Sequence, residues 1–494
     1  MLKSKHLAVV LVALFFLSLI FSSIIVQVAT GVLTETRKSV LIKTLSEMQL
    51  DNGSFGYPGL WNPYLEVTTA CILIVFETLN ALNRIDINKV TEYLVSQQDP
   101  VSGGFGKIID EQGTFLGFDL YVTYLVVRVL KFLDALDKIN RTALVNFVLA
   151  RYNWSDGGFH ELTVEAYGKE WSFSLFPIET RIFGTEYAQS NIISTFFGVS
   201  ILSDLGELNK INVTKTFNFV LNCRRRNGAF APSPSVFKPL DSFFYVDGNG
   251  TGIPYTYAAI GALKVMGHID ILSREDREKI LEYLKACQFK NKNVKGLYGS
   301  FAIHKGVENW EHTSPNIHYT YQAIITLYYL SLLDKAKELV SKAINYVLDQ
   351  QFLDCDDSWP VPRGREYWKE LHNRDVYGLF YSPISDIEGT YHSIMILNVT
   401  NNLHLLNEFT PRAKITIINL IFLTTIICIV VFLSLSAYYK HVSFTRLSVF
   451  FIISFSVALI CQKLYRLSLS ITITIVTIIL IFFSVKVLNA QKYR

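Results

Sequence analysis

Aromatic side chains recur at fixed places in the middle of this chain, and their spacing predicts that they share a cavity. Aromatic residues make up 14% of the 494 residues. Many of them flank a threonine near the start of an apolar, helix-like run: Tyr121, Tyr124, Phe196, Tyr255, Tyr257, Tyr319, Tyr321 and Tyr391. Aromatic faces attract cations, and the rings bury apolar chains. A cavity lined by them would hold a lipid-like chain and stabilise positive charge. The alternative is that half of these rings only pack two layers of helices together.

The threonines belong to a repeat of two helices joined by a glycine turn. The turn reads Gly53-Ser54-Phe55, Gly103-Gly104-Phe105, Gly157-Gly158-Phe159, Gly228-Ala229-Phe230, Gly299-Ser300-Phe301 and, in degenerate form, Asp357-Ser358-Trp359. A helix-like run precedes each turn. A second helix follows it, marked in turn by Thr69, Thr123, Thr195, Thr256, Thr320 and Ser393. Glycine suits this turn because it admits positive φ and a close backbone approach. The aromatic can fold back as a plug between hairpins.

Six copies of this repeat predict the fold class. A single αα-hairpin has two apolar faces and cannot bury both of them alone, so it needs neighbours. Six hairpins in one chain favour a closed double ring, which leaves no terminal repeat unpaired. We therefore predict an all-α, (α/α)6 toroid over residues 37–408.

The two ends of the chain predict transmembrane helices. The chain is 50% hydrophobic and its mean hydropathy is +0.29, which is too apolar for an ordinary soluble protein. The uncharged run Leu7–Thr34 is long enough to span a bilayer, and we interpret residues 1–36 as an anchor, with a cleaved signal peptide as the alternative. Residues 409–494 hold about three further spans. These are Ile415–Tyr438, Leu447–Gln462 and Leu467–Val485.

Basic residues beside the spans predict the topology. With four spans, most of them fall on one side, which the positive-inside rule makes cytoplasmic. They are Lys3, Lys5, Lys440, Arg446, Lys486, Lys492 and Arg494. Lys463 and Arg466 fall on the other side. We therefore predict a plasma-membrane protein whose partner is the lipid bilayer and whose toroid is extracytoplasmic. A net charge of +4 gives no indication of nucleic-acid binding.

The repeats resemble the prenyltransferase and squalene-oxidase repeat of protein-prenyltransferase β subunits and terpene cyclases. The resemblance lies in the glutamine pairs that end helices (Gln97-Gln98 and Gln350-Gln351), the Gly-x-aromatic turn that follows, and the helix start Tyr255-Thr256-Tyr257-Ala258-Ala259-Ile260-Gly261-Ala262-Leu263. Six repeats match one complete toroid. The resemblance implies an isoprenoid or lipid-like ligand and, by family, transferase or cyclase activity. We predict that six tyrosines contact this ligand: Tyr121, Tyr255, Tyr257, Tyr319, Tyr321 and Tyr391.

The resemblance also implies a zinc site at Asn316, His318 and His392. Protein prenyltransferases hold zinc with an Asp and a Cys at one helix start and a His at the next. Two imidazoles could bind Zn, but asparagine is a weak ligand and the cysteine is absent. A helix N-cap is the ordinary alternative for Asn316, because Asp119 and Asn191 occupy the same position in their repeats.

A second family signature is Asp-x-Asp-Asp, whose central acid protonates an alkene in squalene–hopene-type cyclases. Asp354-Cys355-Asp356-Asp357 matches it, so the resemblance implies catalytic roles for Asp354, Asp356 and Asp357. A carboxyl could serve there only if burial and its neighbours kept it protonated. The alternative is a turn, because other repeats place turn-forming Asp and Asn in this position.

Three functions remain open at this stage. The first is a membrane-anchored, extracytoplasmic toroid that binds an isoprenoid or lipid-like substrate and transfers or cyclises it. The second is a non-catalytic toroid that binds a lipid or a protein in the cell envelope. The third is carbohydrate processing, which needs paired acids in a cleft. Pairs such as Asp110-Glu111 and Asp386-Glu388 cannot be placed there from sequence, and fold alone decides none of these.

Overall fold

The described part of the chain contains twelve α-helices, one small β-hairpin and five short 3-10 helices. A computed structural model describes residues 35–56, 65–109, 115–160, 190–235, 250–293, 296–305, 315–351, 386–408 and 410. The helices are α1 Arg37–Glu47, α2 Leu65–Thr78, α3 Ile87–Ser96, α4 Leu120–Phe132, α5 Arg141–Leu149, α6 Ile192–Asp204, α7 Val213–Asn222, α8 Ile253–Val265, α9 Arg274–Cys287, α10 Ile317–Tyr329, α11 Lys337–Asp349 and α12 Asp386–Val399. Strands β1 (Lys107–Ile109) and β2 (Phe115–Phe118) pair antiparallel, with Lys107 opposite Phe118.

The even-numbered helices form a closed inner ring. From α2 to α12 each packs against the next even-numbered helix, and α12 packs back against α2. The outer helices α3, α5, α7 and α11 lie against the inner helices that follow them in sequence. This arrangement confirms the predicted (α/α)6 toroid.

Burial explains which helices lie inside. In α2, every residue from Val67 to Phe76 is buried, as expected for a helix covered on all sides. In the outer helix α3, the buried residues are only Val90, Thr91, Tyr93 and Leu94. Such a helix covers the ring with one face and meets water with the other.

The turns need glycine for the two reasons that the sequence suggested, which are a positive φ and a close approach to a neighbouring backbone. Their φ angles are positive at Gly53, Gly103, Gly157, Gly228 and Gly299. A Cβ atom on Gly53 would overlap the backbone of Lys89 in α3, and one on Gly299 would overlap the backbone of Lys342 in α11. Each turn therefore presses on the next outer helix where only glycine fits.

The recurring threonine and phenylalanine form one structural unit. Phe55, Phe105, Phe159, Phe230 and Phe301 are fully buried, which confirms the predicted plug. The backbone N–H of Phe301 donates to Thr320 Oγ1 at 3.0 Å, and the four earlier repeats repeat this bond. The threonine therefore satisfies an amide that water cannot reach. The sixth turn, Asp357-Ser358-Trp359, lies outside the described residues.

Glutamines at the ends of outer helices join consecutive repeats. Gln49 Nε2 donates to the carbonyl oxygen of Asp86 at 3.0 Å, and Gln49 Oε1 accepts from the Asp86 N–H at 2.9 Å. Gln351 closes the outer ring, because its Nε2 donates to the carbonyl oxygen of Arg37 in α1 at 3.1 Å. Gln49 and Gln351 thus join consecutive hairpins by hydrogen bonds, and Gln351 is one of the glutamines that carry the family resemblance.

The chain divides into two units, residues Thr36–Glu408 and residues Met1–Glu35 with Phe409–Arg494. The toroid occupies the first unit. Among the helices that the structure describes, none is long and apolar enough to cross a membrane. The four predicted spans all lie outside the described residues, so they stay predictions.

Candidate functional site

A continuous belt of aromatic rings runs across five of the six inner helices. Neighbouring ring centroids lie 5.2 Å apart for Tyr124 and Phe197, 5.4 Å for Phe196 and Tyr257, 5.8 Å for Tyr257 and Tyr321 and 5.7 Å for Tyr321 and Tyr391. We call these rings, with Tyr121 packed on Phe197 at 5.3 Å, the aromatic belt. Its members are Tyr121, Tyr124, Phe196, Phe197, Tyr257, Tyr321 and Tyr391.

Three hydroxyl groups of the belt form a short chain. Tyr257 Oη and Tyr321 Oη lie 3.4 Å apart, and Tyr321 Oη and Tyr391 Oη lie 3.3 Å apart. Burial raises the pKa of all three phenols well above the usual value. They are therefore neutral donors and acceptors at physiological pH.

The belt lies on the inner ring of helices. Tyr121 and Tyr257 keep part of their surface accessible, and burial raises the pKa of both phenols well above the usual value. The belt therefore leaves part of its ring surface accessible on the inner helices.

Two ionisable side chains of the inner helices act on residues of the belt. Arg128 of α4 donates from Nη1 to Tyr124 Oη at 3.2 Å. Glu388 of α12 is half-buried, and burial raises the pKa of its carboxyl to about 7. Both groups act on the buried thiol of Cys71 in α2. Burial raises the pKa of that thiol, Glu388 raises it further and Arg128 lowers it.

Four of the six tyrosines predicted as ligand contacts belong to the belt: Tyr121, Tyr257, Tyr321 and Tyr391. Tyr255 and Tyr319 are also buried, but each precedes a belt tyrosine by two residues. Two residues along a helix turn the side chain to another face, and Tyr319 lies beside His318 with centroids 5.6 Å apart. A role in ligand binding stays a prediction for all six.

Two of the three predicted zinc ligands, His318 and His392, lie side by side, but the set does not fit a zinc site of the family's kind. The rings of His318 and His392 lie 4.8 Å apart. Burial lowers the pKa of His318 to about 4, and burial with the His318 ring lowers that of His392 well below its usual value. Both rings are therefore neutral. However, Gln322 Nε2 lies 2.9 Å from His318 Nε2, and the Tyr319 N–H donates to Asn316 Oδ1 at 3.0 Å.

Asn316 is thus the N-cap of α10, as the alternative interpretation held. The described residues contain no group of three or more His, Cys, Asp or Glu that could hold a metal ion. The zinc assignment stays a prediction.

The predicted catalytic acids Asp354, Asp356 and Asp357 lie outside the described residues, as does the pair Asp110-Glu111. Of the pair Asp386-Glu388, only Glu388 has a described side chain. Arg128 and Phe197 were not among the sequence candidates. The sequence does single out Arg128, because it is the only charged residue in the apolar run Leu120–Leu130.

The family follows from a domain comparison. The model of the prenyltransferase alpha-alpha toroid domain matches residues 4–170 and 180–355, which is more than half of the chain. The chain belongs to the prenyltransferase alpha-alpha toroid family. No curated protein matches the sequence of this toroid.

Solved structures similar to this toroid come from several kinds of protein. Protein geranylgeranyltransferase-I of Candida albicans, complexed with GGPP, is 14% identical over 71% of this chain and 90% of its own, with a TM-score of 0.46. A variant of the type II terpene cyclase MstE from Scytonema, with geranylgeranyl dihydroxybenzoate, is 12% identical over 77% and 99%, with a TM-score of 0.45. Cellobiose 2-epimerase of Bacillus thermoamylovorans is 13% identical over 72% and 96%, with a TM-score of 0.44.

Proposed function

We propose that this protein is a membrane-anchored, extracytoplasmic toroid that binds an isoprenoid or other lipid-like chain inside its inner helix ring. The observation that carries the proposal is the aromatic belt. Rings from α4, α6, α8, α10 and α12 pack against one another along the inner ring, and an apolar chain laid along them would lose part of its contact with water. Each buried methylene group stabilises such a complex by about 0.8 kcal/mol. Membership of the prenyltransferase toroid family agrees with this ligand class.

Binding of geranylgeraniol to the purified protein in detergent tests the proposal. Tyr321→Ala is expected to weaken binding at least about tenfold, because the variant loses a central ring of the belt and the hydroxyl that joins Tyr257 to Tyr391. Isothermal titration calorimetry measures the affinity, and thermal unfolding checks that the variant is folded.

Tyr328→Ala is the matched control. Tyr328 lies on the same helix α10 but is 47% exposed, so its loss is expected to leave the affinity unchanged. If both variants bind geranylgeraniol as the wild type does, the belt is not the binding site. If the wild type binds none, the proposal fails.

Glu388 supports a catalytic form of this function. A carboxyl with a pKa of about 7 is protonated in mildly acidic solution, and in that form it can start the cyclisation of an alkene, with aromatic faces stabilising the resulting cation. Gas chromatography–mass spectrometry of the bound chain separates the two forms. A changed chain identifies an enzyme, and an unchanged chain identifies a toroid that only binds.

The membrane topology has a separate test. Val101 is 89% exposed, whereas Cys71, Cys223 and Cys287 are buried. A membrane-impermeant maleimide is therefore expected to label Val101→Cys in intact cells and to label Lys492→Cys only after lysis, because the positive-inside rule places these residues on opposite sides. The reverse pattern would place the toroid in the cytoplasm. Labelling of unmodified protein sets the background.

A further inference from the structure

The toroid contains several Asn-x-Ser/Thr sequences, the sequons at which asparagine accepts an N-linked glycan. One of them, at Asn249, lies outside the described residues. The other five begin at Asn52, Asn140, Asn153, Asn212 and Asn398. A glycosylating enzyme must reach both the asparagine and the hydroxyl residue two places further on. The surroundings of those two side chains therefore separate sequons that are open to modification from sequons that the fold already uses.

The fold uses the hydroxyl group in three of these sequons. Ser54 is fully buried, and its Oγ donates to Asn52 Oδ1 at 2.7 Å. Ser155 Oγ donates to Asn153 Oδ1 at the same distance. The sequon of Asn398 lies at the end of the inner helix α12, and its threonine hydroxyl donates to a carbonyl oxygen of that helix at 2.7 Å. These hydroxyl groups hold turns and a helix end together.

The sequons of Asn140 and Asn212 are open at both positions. The two asparagines are exposed, and so are their partners Thr142 and Thr214. Each asparagine Oδ1 accepts from the N–H group three residues further on, at 3.0 Å. Within the part of the chain that the structure describes, no hydrogen bond engages either asparagine Nδ2 or either threonine hydroxyl. Both reacting groups of each sequon therefore face solvent.

Helix capping explains these asparagines but not their sequons. Asn140 is the N-cap of α5, and Asn212 is the N-cap of α7 in the next repeat. Asp86 holds the same position before α3, where its carboxylate makes the same bond to the helix backbone. An aspartate would therefore cap α5 and α7 equally well. Threonine is a poor helix former, so the fold gives no reason for an exposed threonine in both copies.

The outer wall of the toroid is nearly uncharged where these two sequons lie. Helix α5 has one ionisable residue, Arg141, and α7 has one, Lys215. By contrast, every residue from Arg274 to Lys279 in the outer helix α9 is charged. Trp154 is 60% exposed and lies beside α7, because its carbonyl oxygen accepts from Lys215 Nζ at 2.7 Å. Soluble surfaces normally carry charges, and a glycan would give this part of the wall a polar cover.

We propose that Asn140 and Asn212 carry N-linked oligosaccharides on the outer wall of the toroid. A membrane-bound transferase supplies the sugar from a polyprenyl-diphosphate-linked oligosaccharide. The asparagine Nδ2 bonds to the anomeric carbon and releases one proton, while the bond from that carbon to the diphosphate oxygen breaks and polyprenyl diphosphate leaves with its electron pair. Each asparagine keeps Oδ1, so both helix caps survive. The inference rests on the extracytoplasmic location in the proposed function, because exported domains receive such glycans.

Translation of the full chain with sealed microsomes of the endoplasmic reticulum tests this assignment. The wild type is expected to give a glycosylated band that peptide:N-glycosidase shifts to lower apparent mass on a gel. Since this enzyme converts each modified asparagine to aspartate, mass spectrometry is expected to find that conversion at Asn140 and Asn212. The variants Asn140→Asp and Asn212→Asp are each expected to lose one glycan while keeping the helix cap.

Thr142→Ala and Thr214→Ala are the matched variants, because each removes a sequon and leaves the capping asparagine in place. Each is expected to lose the same glycan as the corresponding asparagine variant, whereas Asn398→Asp is expected to keep both glycans. Modification that is confined to the other sequons would overturn the assignment. So would a glycan that survives the loss of its threonine.

Labelling of Val101→Cys with an impermeant maleimide in the same microsomes separates this inference from the proposed topology. If the cysteine is labelled only after detergent is added and the chain carries no glycan, the glycan sites are overturned and the proposed topology stands. If the cysteine is labelled in sealed microsomes, the toroid faces the cytoplasm and both are overturned. Microsomes that glycosylate a known acceptor protein serve as the positive control.

Discussion

Gly299→Ala is expected to destabilise the toroid by about 2–4 kcal/mol. Gly299 has a φ of +93°, and a Cβ atom there would overlap the backbone oxygen of Lys342. An L-residue with this φ costs about 1 kcal/mol by itself. The overlap adds more, because the methyl group must push α11 away from the turn and open the contact between two repeats. Thermal unfolding followed by circular dichroism measures the loss.

Gly206→Ala separates the two causes. Gly206 also has a positive φ, +73°, but nothing lies within 4 Å of a Cβ atom placed there. The control is therefore expected to lose only about 1 kcal/mol. Equal losses in the two variants would show that backbone strain alone requires glycine at the turns and that the approach to the next helix is unimportant.

Glu388→Gln is expected to stabilise the toroid at pH 8 by about 1–3 kcal/mol and to leave it unchanged at pH 4. Burial raises the pKa of Glu388 from 4.5 to about 7. Between these values the unfolded chain releases the proton while the folded chain keeps it. The contribution of Glu388 to stability is therefore fully present below about pH 4.5 and is lost as the pH rises through about 7. Because the side chain keeps some contact with solvent, the range given is below the full value of the shift.

Unfolding temperatures of the wild type and the variant between pH 4 and pH 8 test this expectation. Glu92→Gln is the control, since it makes the same replacement at a carboxyl that is exposed on the outer helix α3. If Glu388→Gln and the wild type show parallel pH profiles, Glu388 does not titrate between folded and unfolded states in this range.

The sequence by itself determined the repeat and therefore the ring. Glycine is needed wherever the turn takes a positive φ against the next helix, as at Gly53 and Gly299. The threonine is needed wherever the turn buries an amide, as Thr320 does for Phe301. These requirements are local, so each copy shows them in its own residues. The count of six copies then predicts closure.

Only the tertiary structure decided which side chains meet at the centre. Cys71, Arg128 and Glu388 lie in different repeats, yet Glu388 and Arg128 both act on the Cys71 thiol because their helices, α12 and α4, pack against α2. Tyr255 and Tyr257 look equivalent in sequence, but helix rotation puts only the second in the aromatic belt. Asn316 looks like a ligand beside His318, but its oxygen caps α10. Spacing along one helix predicts approximately which face of that helix a residue occupies. The side chains that it contacts on other inner helices depend on how all six hairpins are rotated against one another.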